Sequence, residues 1–219
     1  MEVYSESAIT CFFETFSKLP PQISSPSHTF IHFPAVKDPH VSHGRHKSGI
    51  SLAIKDRFLP FVKILITNEN WILLWFDTSN ITTAMRKIFI FFCYAPNRLS
   101  NVEWGKIEIV IQAIANKNAN VLIMGDLNAR VALANLNMTF TNNNKKLKYH
   151  RISRDSKHGQ RGSKLEELTK SCKLTILNGR SVSDPFGSWT CIHSKGSSEI
   201  DLALISNQMV NYFHDFQVT

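Results

Sequence analysis

Residues 121–130 read Val-Leu-Ile-Met-Gly-Asp-Leu-Asn-Ala-Arg. The apolar run Val121–Met124 has strand length and stops at Gly125. Asp126 and Asn128 follow at the two-residue spacing that puts side chains on one side of an extended chain. A carboxylate and a carboxamide side by side at a strand end can take a proton from a water and fix its orientation. The same pair offers the hard oxygens that Mg²⁺ prefers. Read alone, Asp-Leu-Asn is a turn before it is a site, because Asp and Asn bond readily to their own backbone.

Outward from this segment, short apolar runs alternate with helical patterns. The runs are Ile9–Phe13, Ile50–Ile54, Phe61–Ile66, Trp71–Phe76, Ile88–Tyr94, Leu174–Leu177 and Ile200–Ile205. Their length and their β-branched and aromatic content predict strands buried on at least one face. Ser100-Asn-Val-Glu103 predicts a capping box, with Ile107, Val110, Ile111 and Ile114 on one helical face. Ser163-Lys-Leu-Glu166 predicts a second box, followed by Leu165, Leu168 and Cys172 and an i,i+4 pair between Glu166 and Lys170. Each helix is followed by a strand, so the pattern is α/β, and with no repeat or linker residues 1–219 read as one domain.

Two stretches lack periodicity. Residues 139–161 carry seven Lys or Arg against the single Asp155, with Asn-Asn-Asn and Gly159, and read as a solvated loop that a nucleic acid can contact. Residues 17–48 hold five prolines and histidines 28, 32, 40, 43 and 46; without carboxylates or cysteines at ligand spacing they read as a loop, not a metal site.

The 219 residues suffice to bury about 70% of the surface of the unfolded chain without a staple. At 43% hydrophobic with 15 Phe the chain is too apolar to be disordered. The net charge of +8 and pI near 9.4 favour a polyanion, nucleic acid before an anionic membrane, although a basic globular protein with no such partner has the same balance. Cys11, Cys93, Cys172 and Cys191 stand far apart with no zinc spacing, as in a reducing compartment. No apolar run approaches a membrane span and the first ten residues are no signal peptide, so the sequons at Asn80 and Asn137 carry no weight. The expectation is an intracellular protein, nuclear or cytoplasmic, neither secreted nor transmembrane.

Three further segments put reactive groups where apolar runs stop. In Cys-Phe-Phe-Glu14-Thr a carboxylate costly to bury must reach water, a cation or a metal. Phe-Phe-Cys-Tyr94-Ala-Pro-Asn97 ends the longest apolar run in a phenol, and in Ser-Ser-Glu-Ile-Asp201-Leu-Ala-Leu-Ile an aspartate interrupts one.

In kind, order and spacing the segments FFETF, GRHKSGISLAIKD, CYAPN, VLIMGDLNAR, RGSKLEELTKSCKLTILNGR and GSWTCIHSKGSSEIDLALIS resemble the endonuclease/exonuclease/phosphatase superfamily. More narrowly, residues 11–206 resemble the apurinic-type endonuclease domain of non-LTR (LINE-type) retrotransposons, and GDLNAR is a close variant of the G-D-F/L-N signature. The resemblance implies a four-layer α/β (α+β) sandwich of two mixed β-sheets flanked by helices, and a Mg²⁺- or Mn²⁺-dependent phosphodiesterase that nicks DNA. It implies Glu14 as metal ligand and Tyr94 as the tyrosine holding the scissile phosphate. Asp126 would activate or position the attacking water, Asn128 would orient nucleophile and phosphate, and Asp201 would pair with a catalytic histidine.

Departures from the family pattern temper this. The family has an asparagine-bearing strand before its glutamate, and a closing Ser-Asp-His. About a dozen residues precede Glu14 here, and the strand-like Tyr212–Thr219 contains only the reversed His214-Asp215. The expectation is therefore a domain lacking the first strand and the last catalytic segment, weakly active or inactive. The alternatives are a non-catalytic nucleic-acid-binding remnant and a phosphatase of the same superfamily. No protein partner or oligomeric state is legible.

Overall fold

The computed structural model describes residues 7–20, 25–36, 48–79, 85–116, 119–134 and 146–218. By contact density the chain divides into two compact units, Met1–Arg86 and Lys87–Thr219.

In the first unit, strands β1 (Ile9–Phe12), β2 (His28–Phe33) and β3 (Ile50–Lys55) form an antiparallel sheet in the order β1-β3-β2. β3 lies in the middle because its residues Ile50 to Ile54 are buried, the pattern of a strand covered on both faces. A 3₁₀ turn, Asp56–Phe61, leads to β4 (Val62–Thr67), which pairs antiparallel with β5 (Trp71–Asp77). The turn between them is held by the Asn68 carboxamide, which accepts from the amides of Asn70 (2.8 Å) and Trp71 (2.9 Å).

β2 corrects the reading of residues 17–48 as loop. Its histidines break the apolar pattern, yet they are satisfied where they stand. His28 Nδ1 meets Ser27 Oγ at 2.9 Å and His32 Nδ1 meets Ser51 Oγ at 2.8 Å, so burying them is not prohibitive. Histidines 40, 43 and 46 lie outside the described residues.

The second unit runs β6 (Lys87–Cys93), α1 (Asn101–Ala115), β7 (Asn120–Asp126), α2 (Gln160–Ser171), β8 (Leu174–Ile176), the hairpin β9 (Cys191–His193) and β10 (Gly196–Ser198), and β11 (Asp201–Ser206). A 3₁₀ turn, Asn207–Tyr212, follows. The strand neighbours are β6-β7-β11-β8; β6 and β7 are parallel, joined through α1, while β11 is antiparallel to both its neighbours. The predicted box at Ser100 is present: Glu103 N donates to Ser100 Oγ (3.2 Å) and Ser100 N to Glu103 Oε2 (3.4 Å). The helix buries Ile107, Ile111 and Ile114 as expected, with Trp104 beside them.

Three expectations change here. α2 starts at Gln160 with Gly159 as its cap, so Ser163 stands inside the helix and caps nothing. The reason is tertiary: Gly159 N donates to Arg130 O at 2.9 Å, fixing the start of the helix against the chain after β7. The predicted Glu166–Lys170 pair does form, at 2.8 Å. Residues 213–218 are irregular rather than strand, because Ser181 Oγ bonds Phe216 O and Ser183 Oγ bonds Asp215 where a strand would have a backbone ladder. Finally, the described part of the basic stretch is not wholly a solvated face: Arg151 and Asp155 are buried.

Candidate active site

Parallel strands carry their outgoing loops at one edge, and β6 and β7 are in register from Ile88 opposite Asn120 to Phe92 opposite Met124. Tyr94 follows the end of β6, and Asp126 is the last residue of β7. Ala95 N donates to Asp126 O at 2.7 Å, closing the two strand ends onto each other. β11 returns antiparallel with Asp201 directly opposite Asp126. The register thus sets the positions of two aspartates across from each other at this edge, one on each strand.

Gly125 has φ 139°, which a side chain would disfavour, and the left-handed φ of Asn128 (45°) suits asparagine. Asn128 N donates to Asp126 Oδ1 and Asn128 Nδ2 to Ala95 O, both at 2.9 Å. Asp126-Leu-Asn128 is thus a turn, as one of the two sequence readings has it, and the turn itself brings the carboxylate and carboxamide together.

Asp201 is set by its neighbours. Thr190 Oγ1 accepts from the amides of Ile200 and Asp201, each at 2.9 Å, and Asn178 Nδ2 donates to Asp201 O at 3.0 Å. Burial pushes the Asp201 carboxyl above the usual aspartate range, opposed by its hydrogen bond with Thr190. Glu14 belongs to the first unit, where it is exposed just past β1 in a left-handed conformation (φ 52°).

Several residues at this edge carry no motif. Arg161, on the first turn of α2, donates from Nη1 to Ala95 O (3.2 Å) and from Nη2 to Pro96 O (3.2 Å) and Asn97 O (3.3 Å). Its charge is felt by Asp126, and its guanidinium lies 5.6 Å from the Trp104 ring centroid. A cavity of about 400 Å³ opens here, lined among others by Asn97, Trp104, Asn128, Arg130, Arg161 and Lys164, with no carboxylate in its wall. In the sequence Arg130 was visible only as the end of GDLNAR and Arg161 as one of many cations, since nothing local says which carbonyls they reach.

Arg130 forks onto Asp155, with Nε to Oδ2 at 2.8 Å and Nη2 to Oδ1 at 2.6 Å. Burial alone would raise the Asp155 carboxyl, but Arg130 and the amides of Lys157 and Glu199 hold it below the usual range. A carboxyl whose pKa falls on folding stabilises the fold in full above its unfolded value, about 3.9, and loses that contribution as pH falls through it toward the folded value. Asp155→Asn should therefore lower the urea midpoint more at pH 7 than at a pH well below about 3.9, where the carboxylate is protonated in the folded chain as well. A deficit independent of pH would show that the ionised carboxylate is not what matters.

Residues 88–218 match the family model described as endonuclease-reverse transcriptase, more than half of the chain. The chain belongs to that family. That family is one of the endonuclease/exonuclease/phosphatase superfamily. Among solved structures, the endonuclease domain of TRAS1, a telomere-specific non-LTR retrotransposon, is similar with a TM-score of 0.56 at 15% identity, covering 95% of this chain and 76% of that one. That likeness establishes the fold, a mixed α+β sandwich. Among the curated proteins none matches.

For an endonuclease of this family a divalent metal is the implied cofactor. Among the described residues no three His, Cys, Asp or Glu side chains gather to hold one. The side chains at the opposed positions Asp126 and Asp201 are hard-oxygen donors, and Mg²⁺ is commonly held by one or two carboxylates with water and substrate phosphate completing the shell. The donor chemistry fits. No helix among the described residues is long and apolar enough to cross a membrane.

Proposed function

We propose that this chain is a DNA-nicking endonuclease domain of retrotransposon type that uses Mg²⁺ or Mn²⁺. The observation that carries the reading is the opposition of Asp126 and Asp201 at one strand edge, beside Asn128 and an acid-free basic cavity. Bound at this edge, the metal would neutralise charge on the phosphoryl oxygens.

The remaining roles belong to side chains. Asp126 orients the attacking water and takes its proton; the Asn128 turn holds that carboxylate in place. Tyr94 donates its phenol to a phosphate oxygen. Arg161 and Lys164 attract the backbone, so duplex binding should fall steeply with salt. Asp201 is the partner that, in the family, orients a histidine of a Ser-Asp-His segment. The 219 residues contain no such tripeptide, and His214 Nε2 lies 3.0 Å from Lys146 Nζ.

Loss of one electrostatic partner costs about 10²–10³-fold in rate. Nicking of supercoiled plasmid by this polypeptide should therefore be weak or nil, alongside duplex binding that is strong at low salt. The assay compares Mg²⁺, EDTA and Asp126→Ala. Brisk nicking that requires both metal and Asp126 would overturn the low-activity part of the proposal and support the site. Duplex binding that is absent, or indifferent to salt, would overturn the nucleic-acid reading.

A further inference from the structure

The basic stretch after residue 145 has a feature that phosphodiester cleavage does not use. Phe186 is 52% exposed, although burying such a ring is worth about 1.5–3 kcal/mol. It is displayed by a turn built from within. The buried Asp184 carboxylate accepts from Gly179 N (3.0 Å) and Ser188 N (2.8 Å), and Gly187 closes the turn with φ 65°. The adjoining strip is pinned as firmly. Lys148 N donates to Arg180 O (2.8 Å), Ile152 N to Gly179 O (3.1 Å), and the buried Arg180 guanidinium to Lys148 O (3.1 Å) and Tyr149 O.

Two cations lie over the ring. Lys148 Nζ is 5.5 Å from the Phe186 centroid and Arg154 Cζ 5.9 Å, and Lys148 Nζ also donates to Pro185 O at 3.3 Å. Tyr149, 46% exposed, lies next along the strip, packed edge-on to His150 at 5.0 Å. The acidic groups of this region are committed elsewhere: Asp155 to Arg130, Asp184 to its turn, Glu199 to Arg151, and Asp215 to Ser183. Cations close to an exposed aromatic ring, on a rigid support, are the elements with which proteins hold unpaired nucleotides: the ring stacks on a base and the cations take the flanking phosphates.

We propose that Phe186, with Lys148 and Arg154, is a stacking site for single-stranded nucleic acid. It accepts an unpaired base of DNA or RNA while cleavage, as proposed above, is performed at Asp126. The inference does not depend on the chain being an active nuclease.

The test is fluorescence anisotropy of labelled oligo-dT and oligo-U with the full 219-residue chain. Phe186→Ala should weaken binding of at least one by about fivefold or more, the range for loss of one base–aromatic stack. Phe186→Leu, which keeps the apolar surface, should weaken it similarly, and Phe186→Trp should restore it. Lys148→Glu with Arg154→Glu should weaken binding and flatten its salt dependence. The two oligonucleotides decide whether DNA, RNA or both are taken. Asp126→Ala, which removes a negative charge from the cleavage edge, should not weaken single-strand binding, which separates this site from the cleavage site. The proposal is overturned if wild type binds neither oligonucleotide, or if Phe186→Leu binds as wild type does. It is overturned equally if only Asp126→Ala reduces binding, an outcome that would leave the endonuclease reading standing.

Discussion

Glu199→Ala is expected to destabilise the fold by about 3–5 kcal/mol, the usual cost of breaking a buried ion pair from one side. Arg151 Nη2 and Glu199 Oε1 are 2.6 Å apart, with side chains 0% and 1% exposed. Burial pushes the Glu199 carboxyl up; Arg151, and a hydrogen bond from the Ser153 hydroxyl, pull it down. Arg151 is also a tie between segments distant in sequence: Nε donates to Asn178 O (3.0 Å) and Nη1 to Ala132 O and Ala134 O. Removing Glu199 leaves a cation in the interior with only carbonyl partners. The check is urea unfolding of wild type, Glu199→Ala and the double variant Glu199→Leu with Arg151→Met. The double variant should recover much of the loss, because no charge then remains buried. A single variant within about 1 kcal/mol of wild type would mean that water reaches Arg151 on its loss of partner and that the pair does not hold the fold together.

The second large effect runs against helix propensity. Gly162 lies within α2, where alanine is ordinarily better than glycine by about 1 kcal/mol. Here a Cβ would stand 2.0 Å from Arg130 O and 2.9 Å from Arg130 C. Both are backbone atoms and cannot rotate away, so the helix and the chain after β7 must part. Gly162→Ala should cost about 1–3 kcal/mol, as overpacking usually does. It should also weaken duplex binding, because the same movement carries Arg161 off the carbonyls of residues 95–97 and disturbs Arg130. Thermal unfolding and duplex binding, measured together, check both parts. A variant as stable as wild type would mean that the two backbones separate at little cost. A variant that is less stable but binds duplex unchanged would detach α2 from the site.

The residues of the site that were legible from sequence are those whose chemistry depends on local order. Asp126 and Asn128 end a strand at fixed spacing, and the Asp126 carboxylate closes the turn by accepting from the Asn128 amide. Tyr94 and Asp201 adjoin apolar runs long enough to be strands, and those strands are present. The capping box at Ser100 is likewise a bargain among four consecutive residues. Where the same device was expected at Ser163, the hydrogen bond from Gly159 to Arg130 moved the start of the helix, and no window of local sequence contains that contact.

The basic stretch shows the same division. Its composition announces charge, and charge was read as solvation. Yet Arg151 is enclosed because Glu199, 48 residues away, meets it, and Asp155 because Arg130, 25 residues before it, does. A buried ion is tolerable only with its partner in place, so burial of these groups is a property of the assembled pairs. β2 escapes a local reading for a related reason: His32 breaks the apolar pattern and meets its partner Ser51 only once β2 pairs with β3.

By itself, then, the sequence determined most of the strands, the first helix, the family and the residue types at the candidate edge. These rest on apolar periodicity and on bonds spanning a few residues, which short-range order suffices to specify. The tertiary structure alone decided that Asp126 faces Asp201, that Arg161 clamps the loop after Tyr94, and that Arg151 and Glu199 are buried together while Phe186 is held outside. Each of these depends on pairing groups far apart along the chain, and strand register and burial exist only after the chain has closed on itself.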